Sequence, residues 1–431
     1  MSIHFGTDGI RGKFGEDLTI DIAYKCGNSL NGNLIIGRDT RQSGIEIVKA
    51  FTKGALDAGC NVTEIGVCTT PCVAYLTLNK NFDYGIMMTA SHNPAEYNGI
   101  KIFSGKGLKL SQDIEKSIEN HINNAQVNLY NTGIYNKAPT LLDEYVNFIK
   151  STAKTNFNNI KVVLDCANGA SYDIAPKVFK SLGAEVVAIS CTPDGTNINL
   201  NCGSLHPDNL VDAVLKNKAN FGFAFDGDAD RILAVDEEGN ILDGDKLMYF
   251  FAKYYLAEGK LTNKQVVGTV MSNLGVEKAL NNIGISLVRT NVGDKYVSEA
   301  LINNNLLIGA EQSGHIILYD IFPTGDGVLN AIQVVNACVQ SNKKLSQFID
   351  YKPYKQTTIN VFVKDKDAIM QKTELTKQVS MQNNKIAGQG RILVRKSGTE
   401  PCIRVMVESA SQDICNKYSQ GLVEFIKDLD C

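Results

Sequence analysis

The sequence has no apolar stretch long enough to cross a bilayer, no Cys-x-x-Cys pair among its 11 cysteines, and no long block of one charge. The first absence excludes a membrane-spanning helix. The second argues against structural zinc, and an odd set of scattered cysteines predicts free thiols in a reducing compartment. Lys plus Arg is 43 against 46 for Asp plus Glu, a net charge of −3, so neither a polyanion nor an acidic membrane is indicated as partner. The opening residues, Met1-Ser2-Ile3-His4-Phe5-Gly6-Thr7-Asp8, lack the apolar core of a signal peptide. A globular cytoplasmic protein is the expectation. Two phosphate-loop patterns are also missing, Gly-x-x-x-x-Gly-Lys-Ser/Thr and Gly-x-Gly-x-x-Gly, which argues against nucleotide binding. So is the Gly-x-Ser-x-Gly elbow of acyl-transfer enzymes.

What is present is concentrated. Asp226-Gly227-Asp228-Ala229-Asp230-Arg231 follows directly on the apolar run Phe221-Gly222-Phe223-Ala224-Phe225. Carboxylates at alternate positions off a buried strand repel one another unless positive charge sits among them. A hard divalent cation, Mg2+ above all, suits oxygen ligands of this kind. A solvated acidic turn is the plain competitor, but such turns follow exposed strands and this run reads as buried. An EF-hand loop starting at Asp226 would end on Glu237, yet it needs Gly where Arg231 stands. A phosphatase with Asp226 as nucleophile shares the strand-to-Asp layout and stays open.

One order of elements recurs three times along the chain. An apolar strand enters a polar, Gly-containing loop at 34–39, 162–169 and 266–272. A helical stretch ending near Gly59, Gly183 or Gly284 follows, then a second apolar run, then a third strand at 84–88, 221–225 or 306–309. Such alternation predicts mainly parallel sheets covered by helices, with ligands at the carboxyl ends of strands. Past the third strand stand, in turn, Ser91-His92, the 226–231 segment and Glu311-Gln312-Ser313-Gly314-His315. From Thr357 the pattern changes to strand 358–363, helix 368–380, strands 390–395 and 403–408, and helix 413–429, after a linker at Lys352-Pro353-Tyr354-Lys355. The chain therefore divides into 1–150, 151–250, 251–355 and 356–431: three similar α/β domains with mainly parallel mixed sheets, then a C-terminal α+β domain.

Several residue groups carry candidate chemistry. Ser91, in Thr89-Ala90-Ser91-His92-Asn93-Pro94, reads as exposed on its turn and suited to carry a phosphoryl group; an ordinary Ser-turn is the alternative. His92 either positions a phosphate or bonds to backbone. Arg395-Lys396-Ser397-Gly398-Thr399-Glu400-Pro401, with Arg404 just beyond, forms a loop able to cradle phosphate. Gly6-Thr7-Asp8-Gly9-Ile10-Arg11-Gly12 suits backbone wrapped around an anion or, more plainly, a flexible turn. Lys101 and His315 are candidate proton handlers, while Glu311 and Ser313 could bond sugar hydroxyls. Together they describe a phosphoryl-transfer cleft.

These motifs, in this order and essentially end to end, resemble the α-D-phosphohexomutase superfamily. Gln312 between Glu311 and Ser313, with Gly6-Thr7-Asp8-Gly9, is similar to the branch that acts on glucosamine phosphates. The resemblance implies a four-domain, heart-shaped fold and a cytoplasmic isomerase of glucosamine 6-phosphate and glucosamine 1-phosphate, feeding UDP-N-acetylglucosamine and cell-wall synthesis. It implies phosphoserine at Ser91 and one Mg2+ per chain on Asp226, Asp228, Asp230 and the Ser91 phosphate. Glucosamine 1,6-bisphosphate would be intermediate and activator. Glu311 and Ser313 would face the sugar, and Arg395, Ser397, Gly398 and Thr399 would hold the non-reacting phosphate with Arg404 beside them. Arg11, Lys101, Arg231 and His315 would line the reaction centre, with His92 next to the serine. A small sugar phosphate is the expected partner, with no nucleic acid and no membrane; a homodimer is compatible with it. Mannose- or glucose-phosphate mutases of the same superfamily, and a non-catalytic sugar-phosphate binder, are the alternatives. Departures from the family pattern are Ala229 where Gly is usual, Ala310 where a second Gly often precedes the Glu, and Tyr97 where Asp is common.

Overall fold

Apolar runs in the sequence become 18 strands in four sheets in the computed structural model, which describes residues 4–6, 8–124, 127–397 and 401–430. By contact the chain forms two units, Met1–Met271 with Ile285–Ile349, and Ser272–Gly284 with Asp350–Cys431.

The first unit holds three sheets. The first is built from β1 (Ile10–Lys13), β2 (Asn33–Arg38), β3 (Asn61–Val67), β4 (Tyr84–Met88), β5 (Tyr97–Ser104) and β6 (Tyr135–Lys137), in the order β1-β5-β4-β2-β3-β6. The second has β7 (Lys161–Asp165), β8 (Glu185–Ile189), β9 (Phe221–Phe225), β10 (Ile232–Val235) and β11 (Ile241–Leu242), ordered β11-β10-β9-β7-β8. The third has β12 (Gln265–Thr269), β13 (Ser286–Thr290), β14 (Ile308–Ala310) and β15 (Ile316–Leu318), ordered β13-β12-β14-β15.

One plan underlies all three. A central first strand pairs in parallel with the second and third strands of its set, and the fourth turns back antiparallel on the third. The third strands β4, β9 and β14 are therefore equivalent, and each ends at a hairpin whose loop carries polar residues. β2, β4, β7, β9 and β12 are buried almost throughout, which is why they read as unbroken apolar runs and not as alternating ones.

The second unit is a three-stranded antiparallel sheet of β16 (Lys355–Phe362), β17 (Gly390–Lys396) and β18 (Cys402–Ser409), ordered β16-β18-β17. Val361, Ile403, Val405 and Val407 from the sheet pack with Cys415, Leu422 and Ile426 of the helix Gln412–Asp430. The single helix expected over 368–380 is two, Lys366–Gln371 and Thr373–Lys385, broken at Lys372 (ψ 124°). Neither Pro nor Gly stands at that break, so the local sequence gives no sign of it. The linker expected at 352–355 is tied down: Asn273 accepts from the Tyr354 N–H at 2.8 Å and donates to its carbonyl at 3.0 Å, and Lys355 already belongs to β16.

All ten described cysteines are free thiols, nine of them buried, so they serve as small apolar side chains. Among the described residues no helix is long and apolar enough to cross a membrane.

Candidate active site

Ser91 stands at the end of β4 with φ 54°, a left-handed conformation that costs a non-glycine residue about 1 kcal/mol. The surroundings hold it there. Its N–H donates to Thr89 Oγ1 at 2.9 Å, and its carbonyl accepts from Arg41 Nη2 at 3.0 Å and Asn199 Nδ2 at 2.9 Å. The fully buried Arg41 guanidinium also donates to the carbonyls of Asn93 (2.7 Å), Tyr97 (2.9 Å) and Pro94, and its Nε to Asp39 (2.9 Å). One side chain thus fixes the whole turn. The expectation of an exposed Ser91 is corrected: the residue is fully buried, because its hydroxyl turns inward and donates to Asp226 Oδ2 at 2.6 Å.

Asp226, Asp228 and Asp230 follow the fully buried β9 and are themselves buried, each offering an oxygen within 4.8 Å of the others. Two glycine-type demands shape the loop. A Cβ on Gly227 would lie 2.5 Å from the Ser91 carbonyl, so only glycine permits this approach of the two loops. Ala229 takes the left-handed conformation although it carries a Cβ (φ 57°), and the carboxylate spacing is kept.

Positive charge does sit among the carboxylates. Lys101 of β5 donates from Nζ to Asp228 at 2.8 Å and Asp230 at 2.7 Å, and lies 3.0 Å from Asp8. Burial opposes the charge on Lys101, but these three carboxylates outweigh it and raise its pKa well above the ordinary value. Burial, with Asp230 and Asp228 nearby, pushes Asp226 up to about 8. Asp228 Oδ1 and Asp230 Oδ1 are buried and accept no hydrogen bond. Three clustered carboxylates, one of them pushed toward its protonated form and two with orphaned oxygens, are a donor set that fits a hard cation.

Further groups ring this centre. The Arg231 N–H donates to Asp226 Oδ1 at 3.2 Å, and Arg231 Nη1 is 2.8 Å from His92 Nδ1. Burial and the Arg231 charge push His92 down to about 4, so its ring is neutral, with Nδ1 the acceptor. The third hairpin brings His315 within 3.8 Å of Asp230 and 3.9 Å of Asp294. Burial opposes protonation of His315, yet Asp230, Asp294 and Glu311 raise it to about 9. Glu311 accepts the Gly293 N–H at 3.0 Å, and Ser313 is exposed on the hairpin loop. Arg11 of β1 is bound to Asp8.

The structure thus gathers Ser91, His92, Lys101, Arg231, His315 and the three aspartates around one point, with Arg11 and Glu311 a residue further out. Sequence reasoning missed Arg41 and Asp39, Asn199, Thr70 (a donor to Asp228), and the chain Asp8–Lys109–Asp294 that leads to His315. Asp8 lies inside a motif already singled out by its glycines. Arg41 and Asp39 follow the first strand of a repeat, where polar residues at a strand end were the available signal.

The second unit has its own cationic feature. Arg395 lies on β17, as the strand expected over 390–395 has it, and stands directly across from Arg404 of β18. Burial and the facing Arg404 lower the Arg395 pKa. Like charges opposed across strands are unfavourable unless an anion joins them. Ser397 is buried, with its carbonyl accepting from Lys366 at 2.7 Å. Gly398 and Thr399 lie outside the described residues.

Four family models match in succession, all for phosphoglucomutase/phosphomannomutase: the alpha/beta/alpha domain I over residues 2–128, domain II over 143–239, domain III over 243–354, and the C-terminal domain over 359–424. The phosphoglucosamine mutase of Carboxydothermus hydrogenoformans is 45% identical over 99% of both chains, and that of Alkaliphilus oremlandii 42% over 98% of both. Among solved structures, a phosphoglucomutase/phosphomannomutase family protein of Burkholderia thailandensis is 23% identical with a TM-score of 0.84, covering 99% of this chain and 98% of that one. Aspergillus fumigatus N-acetylphosphoglucosamine mutase, in complex with GlcNAc-6P and magnesium, is 17% identical with a TM-score of 0.70, over 100% and 96%. At these identities the two structures speak to the fold alone.

Proposed function

Because the chain belongs to the phosphoglucomutase/phosphomannomutase family, the α-D-phosphohexomutases, we propose that it is a phosphoglucosamine mutase, an isomerase of glucosamine 6-phosphate and glucosamine 1-phosphate. The full-length relatives at 42–45% identity support the substrate, and a place upstream of UDP-N-acetylglucosamine in the cytoplasm fits its free thiols. One observation carries the chemistry: the Ser91 hydroxyl sits 2.6 Å from Asp226, inside the carboxylate cluster.

Asp226, Asp228 and Asp230 would hold Mg2+ beside a phosphorylated Ser91. The cation would neutralise charge on the phosphoryl oxygens. The sugar O1 hydroxyl attacks phosphorus, the bond from phosphorus to Ser91 Oγ breaks, and the hydroxyl proton passes to a base. The resulting 1,6-bisphosphate turns over and returns its C6 phosphoryl group to Ser91. Little covalent work falls to the protein, which positions the groups and neutralises charge.

Arg231 and Arg11 supply fixed positive charge. Lys101 and His315, both protonated at neutral pH, suit proton donation to the oxygen that leaves phosphorus, and the neutral His92 suits acceptance. Glu311 and Ser313 would bond the sugar hydroxyls. Arg395 and Arg404, with Ser397, Gly398 and Thr399, would take the non-reacting phosphate; recognition by charge tolerates exchange of the 1- and 6-phosphates.

31P NMR of glucosamine 6-phosphate with the protein, Mg2+ and a trace of bisphosphate tests the reading. Growth of the 1-phosphate signal supports it. Release of inorganic phosphate alone, or no change, rejects it, and glucose and mannose phosphates in parallel test the sugar.

A further inference from the structure

We propose that Cys166 and Cys191, at the carboxyl ends of β7 and β8, form a reversible disulfide with a low-molecular-weight disulfide as oxidant, and that this bond loosens the Ser91 turn. The two residues converge on one backbone oxygen. The Cys166 N–H donates to the Ile189 carbonyl at 3.2 Å, and Cys191 Sγ donates to the same carbonyl at 3.3 Å. β7 and β8 pair in parallel up to Asp165 and Ile189, and Ser190 then turns left-handed (φ 49°), which brings Cys191 beside Cys166. The two thiols are hydrogen-bonded to one another. Adjacent strand ends of this kind hold their backbones within the span a disulfide bridges.

The pair is unequal, as thiol–disulfide exchange requires. Cys191 alone among the ten described cysteines is not buried. The hydrogen bond that it accepts from Cys166 lowers its pKa, against burial, and Lys180 adds to the effect. Burial raises the Cys166 thiol well above its ordinary value. Cys191 is therefore the attacking sulfur and Cys166 the resolving one. The Cys191 thiolate bonds to one sulfur of the oxidant, the oxidant's S–S bond breaks, and the thiolate that leaves takes a proton. Cys166 then gives its proton to water, its sulfur bonds to Cys191 Sγ, and the other half of the oxidant leaves and takes a proton. Two protein thiols are oxidised and one small disulfide is reduced to two thiols. Cys68 and Cys72 also bond to one another, but both are fully buried, out of reach of an oxidant.

The bond would form where a shift is felt at the site. Ala167 and Asn168, directly after Cys166, are both left-handed (φ 54° and 47°). The Ala167 carbonyl accepts from the Asn199 N–H at 2.9 Å, and Asn199 Nδ2 donates to the Ser91 carbonyl at 2.9 Å. The Asn168 carbonyl accepts from the Thr40 hydroxyl at 2.6 Å, and Asn168 Oδ1 accepts from the N–H of Thr192, next to Cys191, at 3.1 Å. The Ala170 N–H donates to the Gly227 carbonyl at 2.8 Å. A covalent bond draws sulfurs closer than a hydrogen bond holds them. Oxidation therefore pulls on the strut 167–170, and with it on the Ser91 turn and the aspartate loop that it supports.

Peptide mapping by mass spectrometry, after incubation of the folded protein with oxidised glutathione, tests this. A crosslinked pair of peptides containing Cys166 and Cys191 is expected, with loss of two hydrogen atoms, and dithiothreitol should restore both thiols. Hydrogen exchange of the oxidised protein is expected to show lost protection at residues 89–94 and 226–231, and oxidant-treated Cys191→Ser no change there. No modification, glutathione retained on Cys191 without a crosslink, or a crosslink between other cysteines in place of this pair overturns the proposal. So does a disulfide that leaves both segments protected, or an equal loss of protection in Cys191→Ser. None of these readouts depends on turnover, so each decides the matter whether or not the protein interconverts sugar phosphates.

Discussion

The Lys101 ammonium lies 2.7 Å from Asp230 and so joins β5 of the first sheet to the loop after β9 of the second. It offsets part of the negative charge of Asp228 and Asp230 and leaves Asp226 to the cation. Lys101→Met is expected to lower turnover by roughly 10²-fold, the usual worth of a positioned proton donor. A substrate KM that rises with turnover unchanged would instead make Lys101 a binding group.

Gly227 and Ser91 are equally interdependent. A Cβ at position 227 would meet the backbone carbonyl oxygen of Ser91 at 2.5 Å, and the serine turn would have to shift. For Gly227→Ala the expected loss in kcat is roughly 10²-fold, the effect of a misplacement near 1 Å at a reacting centre. Circular dichroism should stay unchanged; full activity would show that the turn yields at no cost.

Metal uptake should release a proton. Asp226 is held at about 8 in the metal-free protein and is therefore protonated at pH 7. A cation that binds its carboxylate must displace that proton. Isothermal titration of Mg2+ at pH 7, in buffers of different ionisation enthalpy, is expected to show release approaching one proton per metal. Asp226→Asn should abolish the release; none in the intact protein would place Asp226 outside the ligand set.

His315 makes the metal-free protein sensitive to alkali. Its pKa in the folded state is about 9, above the 6.5 of the unfolded chain. The group therefore contributes stability that is fully present below pH 6.5 and lost as pH rises through 9. Thermal melts in EDTA should show the midpoint falling from pH 7 to 9.5, with a smaller fall in His315→Gln. Equal slopes would remove His315 from the charged network.

Much of this was legible in the chain because it follows from local chemistry. Buried third strands show as apolar runs such as Phe221–Phe225, and the polar loops after them show by contrast. The three aspartates announce a cation by their spacing. What was hidden depends on tertiary placement. Nothing near Arg41 tells that its guanidinium will hold four carbonyls of the serine turn, since those bonds span up to 56 residues. The inward turn of the Ser91 hydroxyl likewise follows from an acceptor 135 residues away. The strand ending at Arg395 was legible, but that Arg395 faces Arg404 depends on the pairing register of β17 with β18.

The most direct measurement is the mass of the protein after mixing with glucosamine 1,6-bisphosphate and Mg2+, followed by peptide mapping. If a serine hydroxyl among three aspartates carries the migrating group, one phosphoryl group is found on Ser91 in the intact chain and none in Ser91→Ala, which should also be inactive. Phosphate on Asp226 or elsewhere, or a Ser91→Ala protein that still interconverts the two sugar phosphates, would contradict the account.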